Sequence, residues 1–130
     1  MLKYIYTRIT GNDLIIDEIT NALELTPAFS YKKGETKITE FGENVVYIED
    51  CWQHEILVKA KTELNALLLK HLRFLADKNN IFEVYKKKHK VQLGIMLYYD
   101  DYQNTIIFSQ EISKMLAKLD IDFYVTISNL

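Results

Sequence analysis

The chain opens on an alternating pattern. In residues 2–10, LKYIYTRIT, one parity holds Lys3, Ile5, Thr7 and Ile9, and the other holds Leu2, Tyr4, Tyr6, Arg8 and Thr10. Alternation among β-branched and aromatic residues predicts a strand with two chemically distinct faces. Gly11-Asn12-Asp13 breaks it as a turn. The period then changes, with Ile16, Ile19, Ala22 and Leu23 recurring at helical spacing. Asp17 and Glu18 stand in the first turn, where the macrodipole favours anions. Pro27 stops the helix, because the residue before a proline disfavours helical geometry.

Residues 28–43 are polar, carry Gly34 and Gly42, and predict a loop with a short strand around Ile38. Residues 44–49 and 51–60 read as two strands meeting near Glu49-Asp50 in an antiparallel hairpin. In the second, Trp52, His54, Ile56, Val58 and Ala60 share a face, opposite Cys51, Gln53, Glu55, Leu57 and Lys59. Thr62 is a candidate cap for the most regular segment, where Leu64, Leu67, Leu68, Leu72 and Leu75 form one apolar stripe. Asn79-Asn80 closes it. Residues 81–85 and 91–99 predict two more strands, joined by a basic turn at 86–90. Ser109 caps a third helix, with Ile112, Met115, Leu116 and Leu119 inward. Asp120 ends it, and residues 122–128 make a last strand with Phe123, Val125 and Ile127 on one face.

The succession β-α-β-β-α-β-β-α-β predicts an α+β fold: a mainly antiparallel sheet with three helices packed on one face, ferredoxin-like or an elaborated or doubled split β-α-β. A length of 130 residues suits a single domain over residues 1–130. The 48% hydrophobic and 26% charged residues can build one core without staples.

Charge narrows the partners. The net charge of −2 lacks the basic excess that releases counterions from phosphates, which disfavours nucleic acid. Apolar runs fall short of the roughly 18 residues a membrane span needs, and the residues after Met1 alternate like a strand rather than a leader. Cys51 is the single cysteine, so no internal disulfide forms, and a cytoplasmic location is expected.

The run from Ile9-Thr10-Gly11-Asn12-Asp13-Leu14 through Asp17-Glu18-Ile19-Thr20-Asn21-Ala22-Leu23-Glu24-Leu25-Thr26-Pro27 resembles a bacterial family, domain of unknown function 4279. Lys33-Gly34-Glu35 matches its Lys-Gly-Glu, Trp52 the tryptophan of its central hairpin, and Ser109-Gln110-Glu111-Ile112 its C-terminal helix start. Ile15-Ile16 stands where that family usually has Asp-Pro, and Glu24 where glycine is common. The resemblance implies a domain and brings no catalytic residues with it.

The residues that could carry chemistry do not converge on paper. Cys51 and His54 suggest a nucleophile and base, yet positions three apart on a regular strand point to opposite faces. Asp50, Cys51, His54 and Glu55 are the densest set of metal-ligand types, but they lack ligand-pair spacing, and His71 and His89 stand elsewhere. Asp100-Asp101, between Tyr98-Tyr99 and Tyr102, suits cations or bases, or simply a solvated strand end. Lys86, Lys87, Lys88 and Lys90 suit phosphate as point charges, or a soluble hairpin tip. No catalytic residue, metal or cofactor is expected.

The nine tyrosines are more telling. Tyr4, Tyr6 and Arg8 share a parity, and Tyr124 lies on the polar parity of its own strand. Together they would dress a sheet face without helical cover, and Tyr and Arg are enriched in binding hot spots. Tyrosine also simply suits strands. The expected function is a non-enzymatic protein-interaction module of the bacterial cytoplasm, in one form an immunity protein against a toxin, with Tyr4, Tyr6, Arg8 and Tyr124 as the protein-binding residues. The alternative is a small-ligand sensor or enzyme with a cleft between the sheet and the 28–43 loop, lined by Tyr31, Trp52, His54 and Glu55. The partner and the oligomeric state are left open.

Overall fold

The computed structural model describes residues 3–99 and 106–129. In chain order the elements are β1 (Lys3–Gly11), α1 (Ile16–Leu23), β2 (Phe29–Tyr31), β3 (Thr36–Ile38), β4 (Asn44–Val46), β5 (Asp50–Val58), a 3₁₀ turn (Lys61–Glu63), α2 (Leu64–Asp77), α3 (Asn79–Lys88), β6 (Lys90–Tyr99), α4 (Gln110–Leu119) and β7 (Asp122–Asn129). The main sheet has the order β2-β5-β1-β6-β7, and β3 and β4 form a separate two-stranded arm.

β1 is the middle strand because it alternates for its whole length. It pairs antiparallel with β5 on one side (Ile5↔Ile56, Ile9↔Trp52) and with β6 on the other (Ile5↔Ile95, Ile9↔Val91). β1-α1-β2 therefore straddles β5, and β5-α2-α3-β6 straddles β1. β7 then pairs parallel to β6 through the crossover helix α4. Ile5, Ile9, Trp52, Val58, Val91, Leu93, Ile95 and Leu97 are the strand members of the buried apolar cluster, and all project to one face. Ile19 and Leu23 of α1, the leucine stripe of α2, Phe82 of α3, and Ile112 and Leu119 of α4 complete it. The four helices thus roof one side of the sheet.

The α+β class holds, but the helix count differs from the predicted three, and the mainly antiparallel sheet includes one parallel pair. Four α-helices are present among the described residues, and the five-stranded sheet is mixed, because β7 runs parallel to β6. The additional helix is α3, which covers residues predicted as a strand and a basic turn. Ile81, Phe82, Val84 and Tyr85 favour strands by type, yet Ile81, Phe82 and Tyr85 also fall on one helical stripe. Burial of Phe82 in the core decides between the two. Lys86, Lys87 and Lys88 then occupy the last turn, where the dipole favours cations. The Lys86 ammonium donates to the Leu119 carbonyl at 2.8 Å, tying α3 to the end of α4.

The expected 44–49/51–60 hairpin does not form. β4 pairs with β3, while β5 inserts between β1 and β2. The nine residues of β5 present Trp52, Ile56 and Val58 to the core and pair with the nine of β1 along their whole length. Helix boundaries show similar local logic. Ser109 caps α4 by accepting from the Ile112 N–H, whereas α1 begins after Ile15, which offers no side-chain cap. Glu24 ends α1 at φ 56°, the left-handed region where glycine is easiest, at the position where the resembled family commonly has glycine.

Candidate functional site

Three arrangements place polar chemistry in this fold: a buried aspartate corner, a pair of core histidines and the sheet face without helices. At the corner, Asp50 is 2% exposed at the start of β5. Its carboxylate accepts from the Leu14 N–H (2.9 Å), the Lys33 N–H (2.7 Å) and the Lys32 ammonium (2.8 Å), and Lys32 also donates to the Leu14 carbonyl. Burial alone would raise the carboxyl pKa. The Lys32 ammonium and the two N–H donors outweigh it and hold the pKa down at about 2. One anion thus ties the turn after β1 and the end of β2 to β5. Lys33-Gly34-Glu35 starts the arm here, with Gly34 at φ 91° and its N–H on the Tyr47 carbonyl. Beneath the corner the Trp52 indole donates to Thr20 at 3.1 Å. Both carboxylate oxygens accept from the chain around them, Oδ2 from Leu14 and Lys32 and Oδ1 from Lys33, so the chemistry of the corner is structural.

On the helix side of the sheet, His71 of α2 lies 2.7 Å from the Thr7 hydroxyl of β1. Its ring faces His54 of β5 at 5.7 Å, and His54 in turn donates from Nδ1 to the Thr26 carbonyl at 2.9 Å. Burial, and secondarily the charge His54 can carry, push His71 down to about 4. A neutral, enclosed imidazole at pH 7 serves packing. Cys51 and His54 point to opposite faces of β5, so no nucleophile–base pair forms. The Cys51 thiol is itself buried under Tyr31, and that burial raises its pKa away from the reactive thiolate. Among the described residues no three His, Cys, Asp or Glu side chains converge as a metal site.

Among the described residues the opposite face carries no helix. Tyr4, Tyr6 and Arg8 of β1 stand there between Gln53 and Glu55 of β5 and Gly94 and Met96 of β6, with Tyr124 and Thr126 of β7 beyond. The sheet therefore brings Tyr4, Tyr6, Arg8 and Tyr124 together. They form one connected surface. Arg8 Nε donates to Gln53 Oε1 (2.5 Å), Gln53 Nε2 donates to Glu55 (2.7 Å), and the Arg8 guanidinium lies 5.5 Å from the Tyr6 ring centre. Tyr4 packs edge-on against Tyr6. Their exposure differs, however. Tyr6 is only 7% exposed, because its ring lies across the notch left by Gly94 and its hydroxyl bonds Thr126. That burial raises the Tyr6 pKa. Tyr6 is a support under the surface, while Tyr4, Arg8 and Tyr124 reach it.

The residues of the alternative cleft are separated by the sheet. Trp52 and His54 face the helices, whereas Tyr31 and Glu55 face the uncovered side. No single cleft takes all four, since neighbouring positions on a strand alternate sides. A smaller cleft of about 490 Å³ does lie between β2 and the arm, lined by Phe29, Tyr31, Thr36, Lys37 and Tyr47. Tyr31 stacks on Tyr47 at 3.6 Å, and burial together with the Cys51 contact pushes its pKa up to about 12. Asp100, Asp101 and Tyr102, and the side chains of Tyr98 and Tyr99, lie outside the described residues.

The sequence pattern places a short strand around Ile38 and another from residue 44, but not their pairing with each other as an arm. Ile38 (70% exposed), Phe41 (84%), Val46 (57%) and Ile48 (82%) all stand in water on it, among Glu35, Glu40, Glu43 and Glu49. The signal was present as isolated apolar residues in a polar stretch, but only pairing of β3 with β4 gathers them.

The fold and these sites define a small α+β protein with one bare sheet face and a projecting apolar arm. The chain belongs to the family described as Domain of unknown function (DUF4279), whose model matches residues 2–130. No curated protein and no solved structure matches it. Most of the motif residues that carry the resemblance meet in one place: the Gly11 turn, α1, Lys33-Gly34-Glu35 and Trp52 surround the Asp50 corner, while Ser109-Gln110-Glu111-Ile112 starts α4 apart from it. No helix among the described residues is long and apolar enough to cross a membrane.

Proposed function

We propose that this chain is a non-enzymatic protein-binding module that engages its partner with the uncovered sheet face and the adjoining arm. The observation that carries this reading is the water-exposed apolar residues of the arm, Ile38, Val46 and Ile48 along one face of the β3–β4 ribbon and Phe41 in its turn, interspersed with glutamates, on the segment that follows the edge strand β2. Apolar groups held on a thin two-stranded arm gain nothing from the domain's own core, and exposed apolar patches of this kind mark interaction sites. The partner that fits is a protein with a hydrophobic patch edged by Lys or Arg, which the glutamates would attract. Tyr4, Arg8 and Tyr124 would add rigid aromatic area and a guanidinium at the flank. A bacterial cytoplasmic setting belongs to the same reading, since one buried free thiol suits a reducing compartment. An immunity protein bound to a toxin is one form it could take.

Affinity capture with the wild-type chain, Phe41→Asp/Ile48→Asp, and Arg8→Ala/Tyr124→Ala tests it. The expected result is one partner held by the wild type at low salt, weakened by added salt and lost in both variants. A partner that both variants retain, or none at all, rejects the proposal. A melting temperature raised by a small metabolite and unaffected by the arm variant would favour the ligand-binding alternative instead.

A further inference from the structure

The two edges of the main sheet are treated differently. On one side the edge strand β2 has three residues, is followed by Lys32 and Lys33, and leads into the arm. Short strands, lysines and covering segments are how proteins protect an edge from pairing. On the other side β7 runs for eight residues, DFYVTISN, with no Lys, Arg or Pro, and is the last strand of the sheet among the described residues. Val125 is 47% and Ile127 57% exposed on it, although both lie on the face that carries the helices.

The sequence of β7 also matches itself when reversed. About Val125, an antiparallel copy places Val125 opposite Val125, Phe123 opposite Ile127, Tyr124 opposite Thr126 and Asp122 opposite Ser128. Apolar side chains then meet apolar ones on the helix face, and Tyr meets Thr on the bare face. Aromatic–β-branched and β-branched pairs are the favourable cross-strand combinations. Registers offset by an odd number of residues would set Phe123 against Thr126 or Tyr124 against Val125, mixing the faces. Charge agrees with this register, because Asp122 is the one ionic residue of the strand and it falls opposite a neutral serine at each end.

We propose that β7 is a homodimer interface, at which two copies of this chain pair antiparallel about a two-fold axis at Val125 and join their sheets into one of ten strands. The interface is isologous, as a closed dimer requires. It sets the two bare sheet faces side by side and leaves the two arms at the far ends. It shares Tyr124 with the protein-binding surface, but it is argued from β7 alone and its test reads the association of this chain with itself, which involves neither the arm nor another protein.

Sedimentation velocity over a concentration series tests it with Val125→Lys and Val125→Glu, at a position where the side chain is half in solvent. The wild type should dimerise, and each variant alone should associate at least ~100-fold more weakly, because like charges then face each other across the axis. Mixing the two variants should restore a heterodimer, as expected where residue 125 lies next to its own copy across the axis. If either variant fails to fold, hydrogen exchange of the wild type above and below the dimerisation midpoint serves instead. Protection that rises with concentration at residues 123–127 supports the interface. A wild type that stays monomeric at high micromolar concentration, variants that dimerise like wild type, an inactive mixture, or exchange at β7 independent of concentration overturns it.

Discussion

Mild acid should weaken this protein through His71. The imidazole is 4% exposed between α2 and the sheet, with Nε2 on the Thr7 hydroxyl and the His54 ring alongside. Its pKa is pushed from 6.5 to about 4 by burial first and by His54 second. In the unfolded chain the ring takes its proton near pH 6.5, while the folded protein resists protonation until about pH 4. Between those values the unfolded state holds more protons, so stability falls as pH falls and levels off below the folded value. Each tenfold change in proton affinity corresponds to about 1.4 kcal/mol, so the full displacement amounts to about 3 kcal/mol. Urea unfolding of the wild type at pH 7.5, 6.5, 5.5 and 4.5 should lose about 2–3 kcal/mol across the series. His71→Gln, which keeps an amide near Thr7 but cannot titrate, should remove most of that slope. Asp50 does not confuse the window. With its folded pKa at about 2 against 3.8, its contribution is present above 3.8 and lost only as pH falls from there toward 2. Equal slopes for wild type and His71→Gln, or an NMR titration of the His71 ring centred near 6.5, would refute the reasoning.

Two further substitutions test local claims. Gly94→Ala would place a Cβ 2.5 Å from the Tyr6 hydroxyl and 2.6 Å from the Tyr124 carbonyl, so a loss of about 2–3 kcal/mol is expected in urea unfolding, and adding Tyr6→Ala should not restore it because the β7 backbone contact remains. Ile15→Asp should raise stability by about 1 kcal/mol and the melting temperature by a few degrees, because Ile15 is an exposed, extended N-cap without a side-chain acceptor and an aspartate there can bond the free N–H groups of α1; an unchanged or lower melting temperature would show that those N–H groups are already satisfied.

How much of this was legible in the chain varies by element. α1, α2 and α4 could be placed because each carries an apolar stripe near its predicted bounds, and in α4 the cap Ser109 marks the start as well. α3 could not, because residues 81–85 satisfy a strand by composition and a helix by spacing at once, and only the space available for Phe82 chooses between them. The bare face was half legible. The parity of Tyr4, Tyr6 and Arg8 comes directly from alternation, but the neighbours that bury Tyr6, namely Gly94 and Thr126, lie about 90 and 120 residues away in the chain. The arm was legible as strands and not as a pair: the strands around Ile38 and from residue 44 could be placed, but three residues carry too little pattern to say that they pair with each other and leave residues 50–58 to β1.

The one-dimensional pattern by itself determined the α+β class, the two faces of β1, β5 and β7, and the separation of Cys51 from His54, because a side chain's direction on a strand depends only on its position in the alternation. Tertiary structure alone decided which strands became neighbours, that β7 lies parallel to β6, that Trp52 and Tyr31 are divided by the sheet, and that Phe41 and Ile48 end in water. Those outcomes depend on pairing register and on competition for one shared core. Both are properties of segments far apart in sequence, and no local window contains them.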